Sequence, residues 1–577
     1  MPPRTRGPRT TPPQTGSPPE QVADLGGTPA TLDPDVLPYA EFAFAIGSNF
    51  FRSYMLIDAM YDRSTNRYRR PYLTAGRINL TVDTQPGLRR GRDSQQAARP
   101  VRRQAPVAAA GSAAELADRE HTELAAVVRR MATSPTTSTA GDVGVERDPN
   151  HGRLTPPRDL VAYRWTISHT GTSWSKRLIL ENPTITDTLI SFALDGAGDY
   201  RMQLRVYFTG NRYNEREITF SVTEKFLVGM GESFASGEGN PDRDGKLTRV
   251  GRAQCSGWLT TAGAAISATA SMDPDPEWFE PRAHRSLQGV QPRAASSLQT
   301  VYGETWNADG GPRQAHFDLV KVTWASFARS GAKIVEGLLN PQNGVNDFIG
   351  AGQIEECRRT VSDGRPIDAL LLSIGGNDAG FVGTLADLTQ GISFWTLVVG
   401  PAAPNIVQER LLALRQALGV GLPAGQEGVI GANLGVLDAA LRNLARTVPI
   451  RQIFVTGYPE DLFYGTDANG RRVFQSCGVF DTASGLLSIS EAEAEFIHEA
   501  GVTLNALLRR RCQDFGWHFV DTAPDFVGKG YCEGSMWIGA EQSCRTQGDY
   551  DGTMHPSPAG HYAAGERLAA ALRQQNI

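Results

Sequence analysis

The chain has 577 residues, 40% hydrophobic and 21% charged, too long for one core and suited to two or three domains of ~100–250 residues. Its formal net charge of −5 argues against a nucleic-acid binder, and its 61 glycines and 35 prolines imply much loop. No membrane-spanning helix is expected: the most apolar early stretch, 42–51, is only about half of the ~20 residues a span needs and is bracketed by Glu41 and Arg52.

Residues 1–36 are Pro-rich and poor in aromatics, so they are expected to be disordered, and no apolar leader is expected in the first 27. Residues 37–86 regain apolar side chains, and Arg77–Asp83 alternates as a half-buried strand able to join the sheet that follows. Residues 87–155 read as a flexible linker or insertion, with a helix expected at Ala113–Met131. Its arginine cluster (Arg89, Arg90, Arg92, Arg99, Arg102, Arg103) reads as a solvated charge run in preference to a site for an anionic surface.

Strands are expected next at Asp159–Ile167, Lys176–Leu180, Thr188–Ala193, Tyr200–Phe208 and Ile218–Val222. Short alternating runs separated by Gly, Asn and Asp turns predict a small antiparallel β-sandwich over 156–223. From 224 to 577 the rhythm changes. Buried strands at Phe226–Val228, Leu319–Ala328, Asp368–Ile374, Gln452–Val455 and His518–Val520 alternate with helices at Pro404–Leu418, Ala432–Arg446, Glu491–Cys512 and Ala559–Arg573. Ser490 and Glu493 form a capping box for the third helix. Such alternation predicts a mostly parallel sheet covered on both faces, an α/β fold, with 255–311 as an inserted loop region.

The six cysteines all lie from Cys255 onward and none makes a C-x-x-C pair, so no metal or nucleotide is implied. An even number scattered through loops is compatible with up to three disulfides, in any of fifteen connectivities, and with a secreted protein. Buried free thiols are the alternative.

Four patches carry chemistry. Phe226–Asn240 runs from a buried strand through Gly229 and Gly231 to Ser233, placing a hydroxyl at the carboxyl edge of the sheet, where α/β proteins bind ligands. Alone, Ser233 is as easily a helix cap. Gly331 follows a second strand, Asn377 in Gly375-Gly-Asn-Asp follows a third, and His555 in Asp551-Gly-Thr-Met-His-Pro precedes the last helix. A serine hydroxyl needs a base within reach, and an imidazole with an unperturbed pKa of ~6.5 suits that task. No Gly-x-Ser-x-Gly elbow occurs, which argues against an α/β-hydrolase.

In this order the four patches resemble the SGNH hydrolases, the Gly-Asp-Ser-type lipase/esterase superfamily, over 224–577. The runs Ser233-Phe-Ala-Ser-Gly-Glu-Gly-Asn-Pro and Gly375-Gly-Asn-Asp-Ala-Gly-Phe are similar to its secreted, disulfide-bearing bacterial branch. The resemblance implies a flavodoxin-like three-layer α/β/α domain. It further implies an acyl-enzyme on Ser233, His555 as general base, and an oxyanion hole from the N–H groups of Ser233 and Gly331 and the Asn377 amide, with a modest helix-dipole contribution. Two positions depart from the family pattern. Glu232 stands where an Asp is usual, and Gly552 stands where the acid that orients the histidine is usual, leaving Asp551 or a backbone carbonyl such as that of Thr553 for the task. Tyr163-Arg-Trp and Gly198-Asp-Tyr resemble polycystic-kidney-disease-type immunoglobulin-like domains, which space or present enzymes and sometimes bind polysaccharide.

The expected function is therefore carboxylic-ester hydrolysis, of a lipid ester or an acetylated carbohydrate, with no cofactor and with possible polysaccharide or cell-surface contact through the sandwich. The alternatives are a glycan-binding adhesion protein with an inactive hydrolase-like domain, and an acyltransferase.

Overall fold

A computed structural model of the chain describes residues 160–181, 189–208, 212–246, 272–298, 316–342, 351–361, 365–380, 412–423, 426–477, 490–549 and 551–577, with short segments at 28–29, 42–46, 49–51, 61–62, 67–68, 78–83 and 303–304. The expected helix at 113–131 and the arginine cluster lie outside these residues.

The strands that matter are β1 (Ala43–Ile46), β2 (Asn49–Phe51), β3 (Ile78–Asp83), β4 (Leu160–His169), β5 (Ser175–Glu181), β6 (Leu189–Leu194), β7 (Gly198–Phe208), β8 (Arg212–Gly231), β9 (His316–Ser326), β10 (Ala369–Ser373), β11 (Ile453–Thr456) and β12 (His518–Val520). The helices are α1 (Ser233–Ser236), α2 (Val290–Leu298), α3 (Gln353–Thr360), α4 (Val429–Leu444), α5 (Glu491–Phe515), α6 (Ala540–Gln547) and α7 (Pro558–Gln574).

The expected change of architecture at residue 224 takes place inside one strand. β8 runs unbroken for 20 residues. Its first half pairs antiparallel with β7, from Arg212 opposite Phe208 to Val222 opposite Gly198. Its last residues, Leu227 to Gly231, pair in parallel with β10 on that same edge, while β9 lines the opposite edge from Thr219 to Gly229. Beyond β10 come β11 and β12, beyond β9 comes β2, all parallel, whereas β7, β4 and β5 form an antiparallel meander. Even Thr28–Pro29, inside the segment expected to be disordered, pairs with Arg212–Tyr213.

A parallel sheet needs cover on both faces, so its strands become wholly apolar. Ala369, Leu370, Leu371 and Leu372 are all fully buried, and each such leucine contributes on the order of 2 kcal/mol. Two helix groups supply the cover: α2 packs on α7, and α4 packs on α3 and α5. The α5 capping box is present, with Ser490 Oγ accepting from Glu493 N and the Glu493 carboxylate accepting from Ser490 N. Helix α2 lies within the stretch expected to be loop. Its buried Gln291 donates to the Met230 and Leu371 carbonyls, so it belongs to the α/β layer.

A second core involves the meander. A small sheet of β1, β3 and β6 shares buried Phe44, Leu80, Val82 and Phe192 with Trp165, Tyr200, Leu204 and Phe220 of the large sheet. Cys477 and Cys532 are joined in a disulfide, and Cys357 and Cys512 are buried free thiols, so two disulfides is the most six cysteines can make. Among the described residues no helix is long and apolar enough to cross a membrane.

Candidate active site

The site is built at the carboxyl edge of the parallel strands, where the chain leaves β8 for β9 on one side and later returns to β10 on the other. Such a switch point opens a crevice above the central strand. Gly231 ends β8 at φ 137°, and a Cβ there would stand 2.2 Å from the Ser373 carbonyl oxygen, so only glycine allows this approach. Gln353 fixes the turn, accepting from Gly231 N and donating to Gly231 O, both at 2.8 Å. Helix α1 begins with Ser233 and spans only four residues, so the expected dipole contribution reduces to the N–H groups of one turn.

Glu232 caps α1 and is the hub of the turn at Ser233. One carboxylate oxygen accepts from Ser233 Oγ at 2.8 Å and from Phe234 N at 3.1 Å. The other accepts from Ser373 Oγ at 2.8 Å and from Tyr458 Oη at 3.0 Å. Burial, and then the Glu232 charge, hold the Tyr458 phenol well above its ordinary pKa, so it stays protonated and keeps donating.

Gly331 sits at φ 76° in the loop after β9. That loop is tethered to the Ser233 turn, since Arg329 N donates to Gly231 O at 3.1 Å. Asn377 lies just beyond β10, and its Nδ2 donates to Ala332 O at 3.0 Å, next to Gly331. The neighbouring Asp378 carboxylate accepts from Ile334 N, and Gly376 N donates to Tyr458 Oη at 3.1 Å. The glycine and asparagine blocks therefore touch.

His555 arrives on a loop that pairs with 536–538: Ile538 N donates to His555 O at 2.8 Å and Met554 N to Ile538 O at 2.9 Å. Its side chain is buried with neither ring nitrogen hydrogen-bonded, and Phe234 lies against it at 5.5 Å between ring centres. Neither candidate orienting group, the Asp551 carboxylate or the Thr553 carbonyl, bonds the imidazole in this conformation. The gap at Gly552 has a steric reason: a Cβ there would stand 2.5 Å from Gly239 Cα. Asp551 keeps solvent access, yet enclosure by protein, then the Asp549 and Glu238 charges, push it up to about 7. His561 is fully buried and held down at about 3 by burial, then by His555 and Arg293.

Four residues around the site carry no sequence signal of their role. Tyr458 and Ser373 complete the Glu232 hub, and Glu238 pairs with His284, whose Nδ1 lies 2.9 Å from both carboxylate oxygens. Glu238 stood in the quoted serine stretch, but nothing in the spacing linked it to a histidine 46 residues on.

Ser233, Asn377 and His555 line one open cavity of about 620 Å³, counting the solvent in its mouth. Phe234, Leu462, Leu504, Trp537 and Met554 supply apolar walls, and Gly331 sits outside this lining. Among the described residues no group of acids, histidines and cysteines could hold a metal ion.

The chain is 28% identical to a lipase of Streptomyces rimosus over 172 residues, 30% of this chain and 49% of that protein. It is 25% identical to Lipase 1 of Streptomyces coelicolor over 190 residues, 33% of this chain and 54% of that protein. The chain thus spans about half the length of the curated relatives it matches. Among solved structures, an extracellular lipase of S. rimosus aligns with 60% of this chain and 99% of its own at TM-score 0.35 and 19% identity. A phospholipase A1 of Streptomyces albidoflavus aligns with 60% and 99% at TM-score 0.31 and 18% identity. No protein-family model matches the chain.

Proposed function

We propose that this protein is a serine hydrolase of the SGNH type that cleaves carboxylic esters through an acyl-enzyme on Ser233. The observation that carries this reading is the meeting of Ser233, Asn377 and His555, from three distant segments, around one cavity. Sequence similarity to two lipases supports it.

In the proposed cycle the Ser233 hydroxyl turns from Glu232 toward His555, which takes its proton as Oγ attacks the ester carbonyl carbon. The oxyanion is met by the N–H groups of Ser233 and Gly331 and by the Asn377 amide, each donor worth ~3 kcal/mol. Collapse expels the alcohol, which leaves with the proton from His555. Water then attacks the acyl-enzyme as His555 takes its proton, and collapse breaks the bond to Ser233 Oγ, which recovers that proton from His555 as the carboxylic acid departs. The free ring nitrogens of His555 suit this exchange.

The apolar walls favour a fatty acyl chain over acetyl. Each methylene buried there is worth ~0.8 kcal/mol, so kcat/KM is expected to rise about fourfold per added carbon until the cavity is full. The Cys477–Cys532 disulfide supports an exported enzyme.

The test is labelling by a fluorophosphonate together with a panel of nitrophenyl esters from acetate to decanoate, phospholipids and acetylated sugars. Labelling that disappears in Ser233→Ala, and hydrolysis lost in both Ser233→Ala and His555→Ala, are expected. Folded protein that reacts equally with and without Ser233 would end the proposal. If Asp551→Ala keeps activity that His555→Ala loses, Asp551 is not the orienting acid.

A further inference from the structure

His555 has no orienting side chain, yet its loop is tied down at several points by one segment, 237–240. Gly239 lies directly on Gly552. Asn240 Nδ2 donates to Pro556 O at 2.8 Å and to Glu238 O at 3.1 Å. Glu238 between them is 1% exposed. Besides meeting His284, its carboxylate accepts from Gln547 Nε2 at 2.9 Å, and Ser330 N donates at 3.2 Å to the carbonyl of Ala283, the residue before His284. Gln547 ends α6 and leads into the histidine loop, and Ser330 precedes Gly331.

We propose that Glu238 and His284 form a positioning pair, an ion pair with a buried carboxylate and a part-exposed imidazole, that sets the histidine loop and the Gly331 loop against the Ser233 turn in place of an acid at His555. The inference rests on the hydrolase reading above. An unpaired carboxylate at this depth costs several kcal/mol, and His284 offsets that cost. His284 is itself held in place, with Trp278 stacked on its ring at 4.6 Å and its backbone in the left-handed region at φ 46°.

Charge states agree with this geometry. Burial alone would raise Glu238, but the charge and hydrogen bond of His284, then the His555 charge and Ser330, hold it at about 2. Burial alone would lower His284, but Glu238, then Asp549 and Asp551, push it up to about 9. The pair is charged between those limits. The other titratable groups facing it are His555, Asp549 and Asp551.

The experiment compares Glu238→Gln, Glu238→Asp, His284→Gln and the double Glu238→Gln/His284→Gln variant with wild type in the full chain, by nitrophenyl octanoate kinetics and thermal melting. A loop displaced by about 1 Å can cost on the order of a hundredfold in turnover. Glu238→Gln and His284→Gln are each expected to lower kcat at least about twentyfold with KM changed less than about threefold, and the double variant is expected to lose no more than either, because the pair acts as a unit. Wild-type kcat is expected to fall above pH about 9 as His284 loses its proton, a limb absent from the double variant. Asp551→Asn separates any limb near 7.

Folded Glu238→Gln with kcat within about threefold of wild type would overturn the pairing. If that variant does not fold, the part-exposed His284→Gln decides by the same criterion. Ser233→Ala distinguishes the levels. Should it be inactive while the pair variants are fully active, the pairing alone fails; should it remain active, the hydrolase reading fails.

Discussion

Restoring the missing acid at residue 552 is expected to harm this protein. In Gly552→Asp the new Cβ would stand 2.5 Å from Gly239 Cα, 2.9 Å from Ser543 Oγ and 3.2 Å from Gln547 Oε1. The first of these is backbone and cannot swing aside. Ordinary carbon–carbon contact lies near 3.5 Å, so the two loops must part by about 1 Å. Overpacking of this kind costs ~1–3 kcal/mol. The separation also pulls the histidine loop from the segment that follows Ser233, and a 1 Å misplacement can lower turnover by ~10²-fold, or ~2.7 kcal/mol of barrier. Gly552→Ala carries the same Cβ without the carboxylate and is expected to behave alike. The assay is urea denaturation beside nitrophenyl-ester kinetics on wild type, Gly552→Ala and Gly552→Asp. A Gly552→Asp enzyme as stable as wild type and faster than it would refute the reasoning, since it would show that an acid fits there and orients His555.

Three other predictions concern groups around the site and its scaffold. Glu232 receives four donors, so Glu232→Gln sets an amide against hydroxyl and N–H groups; with each unmet buried donor costing ~1–3 kcal/mol, urea denaturation should show at least ~2 kcal/mol lost, and under ~0.5 would discount the hub. Asp378 is raised to about 6, chiefly by burial, so its folded pKa lies above its unfolded ~3.9 and its favourable term, complete below the unfolded value, is lost as pH rises through 6. Asp378→Asn, measured against wild type by denaturation at pH 4 and pH 7.5, should therefore gain relative stability at the higher pH; the opposite trend would remove the assignment. Cutting the disulfide frees a link across 55 residues, so Cys477→Ser/Cys532→Ser should lose ~4 kcal/mol in the chain-entropy picture, and a loss below ~1 would mean the link constrains little.

The pattern of apolar runs showed where strands and helices lie, because a buried parallel strand such as 369–373 must be apolar and an amphipathic helix must be periodic. It failed where polar groups find remote partners. β8 read as two strands because Glu224 and Lys225 interrupt it. In the fold Glu224 accepts from Thr323 Oγ1 at 2.6 Å and pairs with Arg365 at 2.9 Å, while Lys225 reaches Asn576 O at 3.0 Å. Helix α2 reads as loop because it spans only nine residues and carries Pro292, yet a proline near the start of a helix loses few hydrogen bonds. The four candidate blocks were legible because each follows a strand or precedes a helix at the same edge. What holds them together was not, since a hydrogen bond from residue 547 to residue 238 leaves no local trace.

Those hidden bonds share a logic. A serine turn, a glycine loop, an asparagine loop and a histidine loop come from four distant places, and each has its own freedom. Two glutamates beside the nucleophile remove it. Glu232, one residue before Ser233, bonds Tyr458, which bonds Gly376 and so fixes the Asn377 loop. Glu238, five residues after Ser233, bonds Gln547 and His284, whose neighbour Ala283 accepts from Ser330 N, and so fixes the loops of His555 and Gly331. Both carboxylates are buried, where a charge is tolerated only when its bonds are made, so displacement of any loop strands a charge. The two positions at which the chain departs from the SGNH pattern it resembles belong together. Ser373 and Tyr458 both reach the carboxylate at Glu232, and a glycine at 552 lets the Glu238 segment lie against the histidine loop.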